Sequence, residues 1–210
     1  VFSSWTLRKK YLIIVGMQEV IEIKRKQFVV LEKLGEHSYK VQRKNDIYFL
    51  KKYDNKEAFN DFVQKQHRLK ITAIDIPKVY LLDKNQMISV VDFIEGPTML
   101  DELLKGDINN EEVFRLLFQS EWYMRREKIR IDFRPENFKF TGKKLVYLPF
   151  KYTNFEANYN FTMKDLRLWF PTKEFAEYIK IKGLSFDEKR IGSEYATNKQ
   201  IALYTVKYYI

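Results

Sequence analysis

The hydrophobic period changes near the middle of this chain, and the change divides it into two unlike halves. Between Val20 and Tyr53, apolar and β-branched residues fall in short runs over Gln27–Leu31, Tyr39–Val41 and Asp46–Tyr53. Gly35 and the pair Asn45-Asp46 supply turn residues between them. Such runs predict strands, and three joined this tightly predict an antiparallel meander. Lys56–Leu69 then carries Phe59, Phe62, Val63 and Leu69 near one face, with charges elsewhere, which predicts a helix. Two more strands are expected over Lys78–Leu82 and Met87–Phe93, turned by Asp83-Lys84-Asn85-Gln86.

After Glu95-Gly96-Pro97-Thr98 the period becomes helical. Asn110 has the side chain of an N-cap, and Glu111 and Glu112 follow in the first turn. A long amphipathic helix is expected from there to about Glu127, with Val113, Phe114, Leu117, Trp122 and Met124. Phe138-Lys139-Phe140 and Leu145-Val146-Tyr147 read as a small hairpin turned at Thr141-Gly142. Lys164 to Ile210 reads as two or three short helices. There is neither an internal repeat nor a linker rich in Pro, Gly or Ser. The element order predicts an α+β fold: a five-stranded antiparallel sheet with one helix inserted after the third strand, then a mostly helical half.

Composition narrows the chemistry. At 210 residues and 45% hydrophobic, the chain can bury a core without covalent staples. It has no cysteine, which excludes disulfides, a thiolate nucleophile and zinc–thiolate sites. Its two histidines, His37 and His67, leave little for a histidine metal centre. The net charge of +10 favours phosphate-bearing partners: nucleotides, nucleic acid or an anionic surface. A solvated lysine-rich surface would give the same charge. No run approaches the roughly 20 apolar residues of a membrane span, so no transmembrane segment is expected and an intracellular, cytoplasmic location is the plain reading. Residues 1–16 hold Arg8-Lys9-Lys10 and the apolar Tyr11–Val15, too short for a secretory core, and read as an N-terminal extension.

The segment with most chemistry is Ile131-Asp132-Phe133-Arg134-Pro135-Glu136-Asn137-Phe138. It resembles the catalytic loop of the protein-kinase-like superfamily, H-R-D-L-K-P-E-N, placed as in that family between a long helix and a hairpin. The resemblance implies a two-lobed fold, with residues 17–96 as N-lobe and 97–210 as a shortened helical C-lobe, and ATP with Mg²⁺ as cofactors. It assigns Asp132 to orient and accept the proton of an attacking hydroxyl, Asn137 to a metal on the phosphates, and Arg134 to the transferred phosphoryl group. Leu34-Gly35-Glu36-His37-Ser38-Tyr39-Lys40-Val41 resembles the glycine-rich phosphate loop, with Gly35 its one remaining glycine. Phe49-Leu50-Lys51 stands where the family has A-x-K, making Lys51 the phosphate-pairing lysine, with Lys52 the alternative by one residue. Val91, Asp92 and Phe93 fall in the segment that joins the lobes and contacts adenine.

The departures are as informative as the matches. Arg130 and Ile131 replace the family's His and Arg, which argues against switching by activation-segment phosphorylation. The helix that should offer a Glu to Lys51 has Gln64, Lys65 and Gln66 near the expected turn, with Glu57 and Asp61 nearer its start. Where D-F-G is expected the chain reads Leu148-Pro149-Phe150-Lys151, so Pro149 or Phe150 replaces the metal-chelating Asp. The overall size is closer to minimal atypical kinases, such as the RIO family and the small kinase of the KEOPS assembly, than to classical Ser/Thr kinases. The expected function is that of a pseudokinase acting through a bound protein partner or nucleotide. An atypical ATP-dependent phosphotransferase is the second reading. The third is a basic nucleic-acid-associated protein, resting on charge and on Tyr204, Tyr208 and Tyr209.

Overall fold

The computed structural model describes residues 19–106, 108, 110–156 and 158–209, so the N-terminal extension lies outside the described residues. Six strands form one antiparallel sheet: β1 (Val20–Ile23), β2 (Lys26–Gly35), β3 (Ser38–Arg43), β4 (Asp46–Lys52), β5 (Val79–Asp83) and β6 (Ile88–Asp92). Their spatial order is β1-β2-β3-β4-β6-β5, and α1 (Lys56–Ile71) fills the connection from β4 to β5. The sheet therefore has six strands rather than the expected five. The extra strand, β1, reaches β2 through Lys24 and Arg25, both at positive φ (47° and 61°). A two-residue turn of this hand usually signals itself with Asn or Gly. Lys-Arg carries no such signal.

The period-2 alternation of the strands sorts their side chains. Phe28, Val41, Tyr48, Leu50, Ile88 and Val90 form a core on one face. Lys40, Phe49 and Val91 lie opposite one another across β3, β4 and β6 on the other face, as do Ser38, Lys51 and Ser89. That second face is the one available to a ligand.

The other half is built on α2 (Met99–Lys105) and α3 (Glu111–Glu127), followed by the short strands β7 (Ile129–Arg130), β8 (Phe138–Phe140), β9 (Leu145–Tyr147) and β10 (Thr153–Asn154). Asn110 caps α3 as expected, its side chain accepting from Glu112 N at 3.0 Å. The β8–β9 hairpin has the expected bounds. α2 was not expected; a reciprocal capping box between Thr98 and Asp101 starts it immediately after Pro97. The end of the chain forms α4 (Lys173–Ile181) and α5 (Glu194–Tyr209). At 16 residues α5 is no short helix.

A second core joins Phe114, Leu117 and Phe118 of α3 to Phe133, Phe138, Tyr147 and Trp169, and Leu69 at the end of α1 inserts into it. This insertion ties the sheet half to the helical half. Tyr204 stacks on Phe114 at 4.4 Å, and Tyr208 and Tyr209 meet Phe118 at 5.8 and 5.1 Å. The C-terminal tyrosines are packing residues of α5 on α3. No described helix is long and apolar enough to cross a membrane.

Candidate functional site

Two features meet where the sheet faces the helical half: the turn carrying Asp132 and a cleft beneath β4 and β6. The turn follows β7 in extended backbone, so alternate residues point to opposite sides. Ile129, Ile131 and Phe133 are buried in the helical core, while Asp132 and Arg134 face outward. Trp169 Nε1 donates to Phe133 O at 2.8 Å and fixes the turn from below. Pro135 then opens a 3₁₀ turn through Asn137, where a missing N–H costs nothing.

The polar groups of this turn are satisfied largely within the turn itself. Arg134 Nε donates to both Asp132 oxygens at 2.8 and 2.7 Å, Arg134 Nη2 also donates to Oδ2, and Arg134 N donates to Oδ1 at 3.1 Å. Burial alone would raise the Asp132 pKa, but these Arg134 hydrogen bonds outweigh it and hold the carboxyl below its usual range. Asn137 Nδ2 donates to Asp132 O at 3.1 Å and closes the turn. Glu136 anchors it to α4, accepting from Tyr178 Oη and pairing with Lys182 Nζ at 2.9 Å. Tyr147 Oη accepts from Asp132 N at 3.4 Å and donates to Lys151 O at 3.0 Å, so the segment after β9 is tied alongside.

The cleft has a volume of about 340 Å³. Phe49, Lys51 and Val91 line it from the sheet, Asp61 and Phe62 from α1, and Pro149 to Lys151 from the segment after β9. Asp132 lines an adjoining recess with Lys65, Arg130 and Tyr147, and Lys151 borders both spaces. Lys51 and Asp132 thus open onto neighbouring spaces joined at Lys151. Lys52 points to the opposite face, over the Tyr39 ring at 5.9 Å.

The other expected residues are distributed less tidily. Gly35 is exposed at the end of β2 and lines neither space; a Cβ there would meet Ser38 Cβ at an ordinary 3.8 Å, so nothing in its surroundings requires glycine. Asp92 lies on the far face beside Tyr48, where burial raises its pKa against the pull of Lys78. Phe93 is held between Lys40 and Lys139, 4.6 and 5.5 Å from its ring centre. The backbone groups of this joining segment are also engaged: Phe93 N donates to Ile47 O at 3.2 Å, and Ile94 O accepts from Lys139 Nζ at 2.8 Å. Arg134 turns back onto Asp132 and lines neither space.

Sequence reasoning left out or misplaced two residues that border these spaces, Asp61 and Lys151, and a third, Lys139, beside them. Asp61 is the acid of α1 that reaches the cleft, and it pairs with Lys65 at 2.8 Å. Lys139 closes over the joining segment, and Lys151 stands between the two spaces. Their sequence signal is weak, because isolated lysines in a basic chain look like solvated surface.

A divalent metal, which the kinase resemblance implies, does not fit these donors. Pro149 and Phe150 present no side-chain oxygen, and Asn137, whose amide nitrogen donates to Asp132 O, has only its single uncharged amide oxygen to offer. Among the described residues, no group of three His, Asp or Glu is arranged to hold a metal ion. Hard cations such as Mg²⁺ need such oxygen donors.

No protein-family model and no curated protein sequence matches the chain. Among solved structures it is similar to WbdD, solved with the kinase inhibitor LY294002, at 13% identity and a TM-score of 0.49. The match covers 66% of this chain and 36% of that one, so the chain spans about a third of that neighbour's length.

Proposed function

We propose that this protein is a degenerate kinase-like binding protein, with residues 17–96 and 97–210 as its lobes, that acts by holding a ligand or a protein partner rather than by phosphotransfer. The observation that carries this reading is the commitment of Asp132. A general base must reach its substrate hydroxyl and take up a proton. Here both carboxylate oxygens are occupied by Arg134, and the pKa is lowered, which makes the group a weaker base. The poor fit for a metal supports the same reading, because phosphoryl transfer relies on metal charge to position and neutralise the phosphates. The tyrosines of α5 are packed on α3, which removes the aromatic support for a nucleic-acid role.

The test is incubation of the purified protein with radiolabelled ATP and either Mg²⁺ or Mn²⁺, beside the variant Asp132→Asn. The expected result is no label above that variant. Autophosphorylation that disappears in Asp132→Asn would establish the phosphotransferase reading instead.

A further inference from the structure

We propose that the end of the sheet carrying the β1–β2 and β3–β4 turns is a docking surface for the phosphate backbone of a double-stranded nucleic acid, held by Lys26 and Arg43 and by the turn tips Arg25 and Lys44. The inference goes beyond the binding reading above and uses neither the cleft nor the Asp132 turn. In an antiparallel meander alternate turns fall at the same end, as these two do. Lys24, Arg25, Lys26, Arg43, Lys44 and Lys78 gather there against three acids, Glu22, Asp46 and Asp92. The sheet curls until its edge strands β1 and β5 approach, with Lys24 Nζ donating to Leu82 O at 2.7 Å.

Two cations converge here with no acid between them. Lys26 Nζ donates to Tyr80 Oη at 3.4 Å, and Arg43 Nη1 donates to the same oxygen at 3.0 Å. The two charges lie no farther apart than those contacts laid end to end, and they repel one another. Neither forms an ion pair among the described residues. Asp46, directly across the ladder from Arg43, instead accepts from Tyr48 Oη at 3.4 Å. An ammonium beside a guanidinium fork suits the tetrahedral oxygens of a phosphate. The turn tips add an independent sign. Lys24, Arg25 and Lys44 have φ of 47°, 61° and 56°, where glycine or asparagine is the relaxed choice. The sequence holds basic side chains at these tips instead. Arg25 and Lys44 are exposed and meet no partner among the described residues.

The class of partner follows from what else stands at this end. Neither turn exposes a large apolar side chain, and a lipid surface would be held through such side chains. The Tyr80 ring is covered by Lys26 at 4.7 Å and Arg43 at 6.0 Å and packs on Tyr48 at 4.6 Å. It offers no platform for the unstacked bases of a single strand. What remains is charge without base readout, which suits the backbone of a duplex. The two turns lie roughly two strand spacings apart, about 10 Å, a span over which a duplex presents several phosphates. Such contact needs nothing from the tyrosines of α5.

Fluorescence anisotropy of the whole chain with labelled short DNA and RNA duplexes, each in two unrelated sequences and over a range of salt, tests this. Expected are affinities within about twofold between sequences, falling as salt rises. Arg25→Gly/Lys44→Gly relaxes both tips and should melt no lower than wild type. It should nevertheless bind about tenfold more weakly, with the slope of log affinity against log salt shallower by about two. Lys143→Gln/Lys180→Gln removes the same charge from exposed positions of the helical half and should change affinity less than about twofold. No binding of either duplex, a strong preference for one sequence, a lower melting temperature in the glycine variant, or equal loss in the two double variants would overturn the proposal. Tighter binding to phosphatidylserine vesicles would overturn it in favour of a membrane. Competition by polyglutamate as strong as that by unlabelled duplex would overturn it in favour of an acidic protein. None of these results touches the phosphotransfer assay, so the two readings fail separately.

Discussion

The Asp132 turn and the lysine-bordered cleft are neighbours that treat their polar groups in opposite ways. In the turn, Asp132, Arg134, Glu136 and Asn137 bond to one another, to backbone or to α4. In the cleft, Lys51 and Lys151 have no acidic partner among the described residues. Groups satisfied internally hold a structure together and have little left for a ligand. Groups left unsatisfied on a concave surface add nothing to the fold and stay available. The loop that most resembles catalytic machinery is thus the better candidate for structure, and the cleft the better candidate for binding.

Mutations in the two regions should separate along this line. The largest contrast is expected between Phe133→Ala and Lys51→Met. Phe133 is fully buried at the root of the turn, stacked 5.9 Å from Phe138 and tilted against Phe161 at 4.7 Å. Its truncation should cost about 3–5 kcal/mol in urea denaturation, while Lys51→Met should stay within about 0.5 kcal/mol. Comparable losses in the two variants would erase the distinction.

Glu136→Ala comes next. It strands the Tyr178 hydroxyl and Lys182 at the contact between turn and α4, for an expected loss of about 1–3 kcal/mol by the same measurement. A neutral result would mean that solvent replaces the carboxylate without cost.

Of the three turn variants Asp132→Asn should cost least, about 1 kcal/mol, because solvent reaches both partners (38% of the Asp132 side chain and 47% of Arg134). Its signature is in the pH dependence. The native pKa of Asp132 lies below the unfolded value, so its contribution is complete above the ordinary carboxylate range and is lost as pH falls through the lowered pKa. The gap in melting temperature between wild type and Asp132→Asn should therefore be constant near neutrality and close in acid. A gap that widens in acid would rule out the ion pair as its source.

Legibility in the sequence followed the range of the forces involved. The β8–β9 hairpin, the α3 cap at Asn110 and the α1 helix were readable because period and capping act over a few residues. β1 was missed as a separate strand because its turn is made of Lys24 and Arg25, and α2 because seven residues give too little period to read. The turn motif around Asp132 was readable as a motif, but its internal bonding was not. Arg134 could equally have faced a ligand, and only packing turned it back onto Asp132.

By itself, then, the sequence determined the α+β class, the change from strands to helices near Gly96, the alternation that sets Phe49 beside Lys51, and the lack of a carboxylate at Pro149-Phe150. Those properties depend on neighbours in the chain, which a linear pattern records. The tertiary structure alone decided that Lys151 lines the same cleft as Lys51, that Asp61 is paired away with Lys65, and that Lys139 takes the carbonyl of Ile94. Lys51 and Lys151, or Ile94 and Lys139, lie far apart in the chain. Their proximity is set by the packing of the sheet on the helical core.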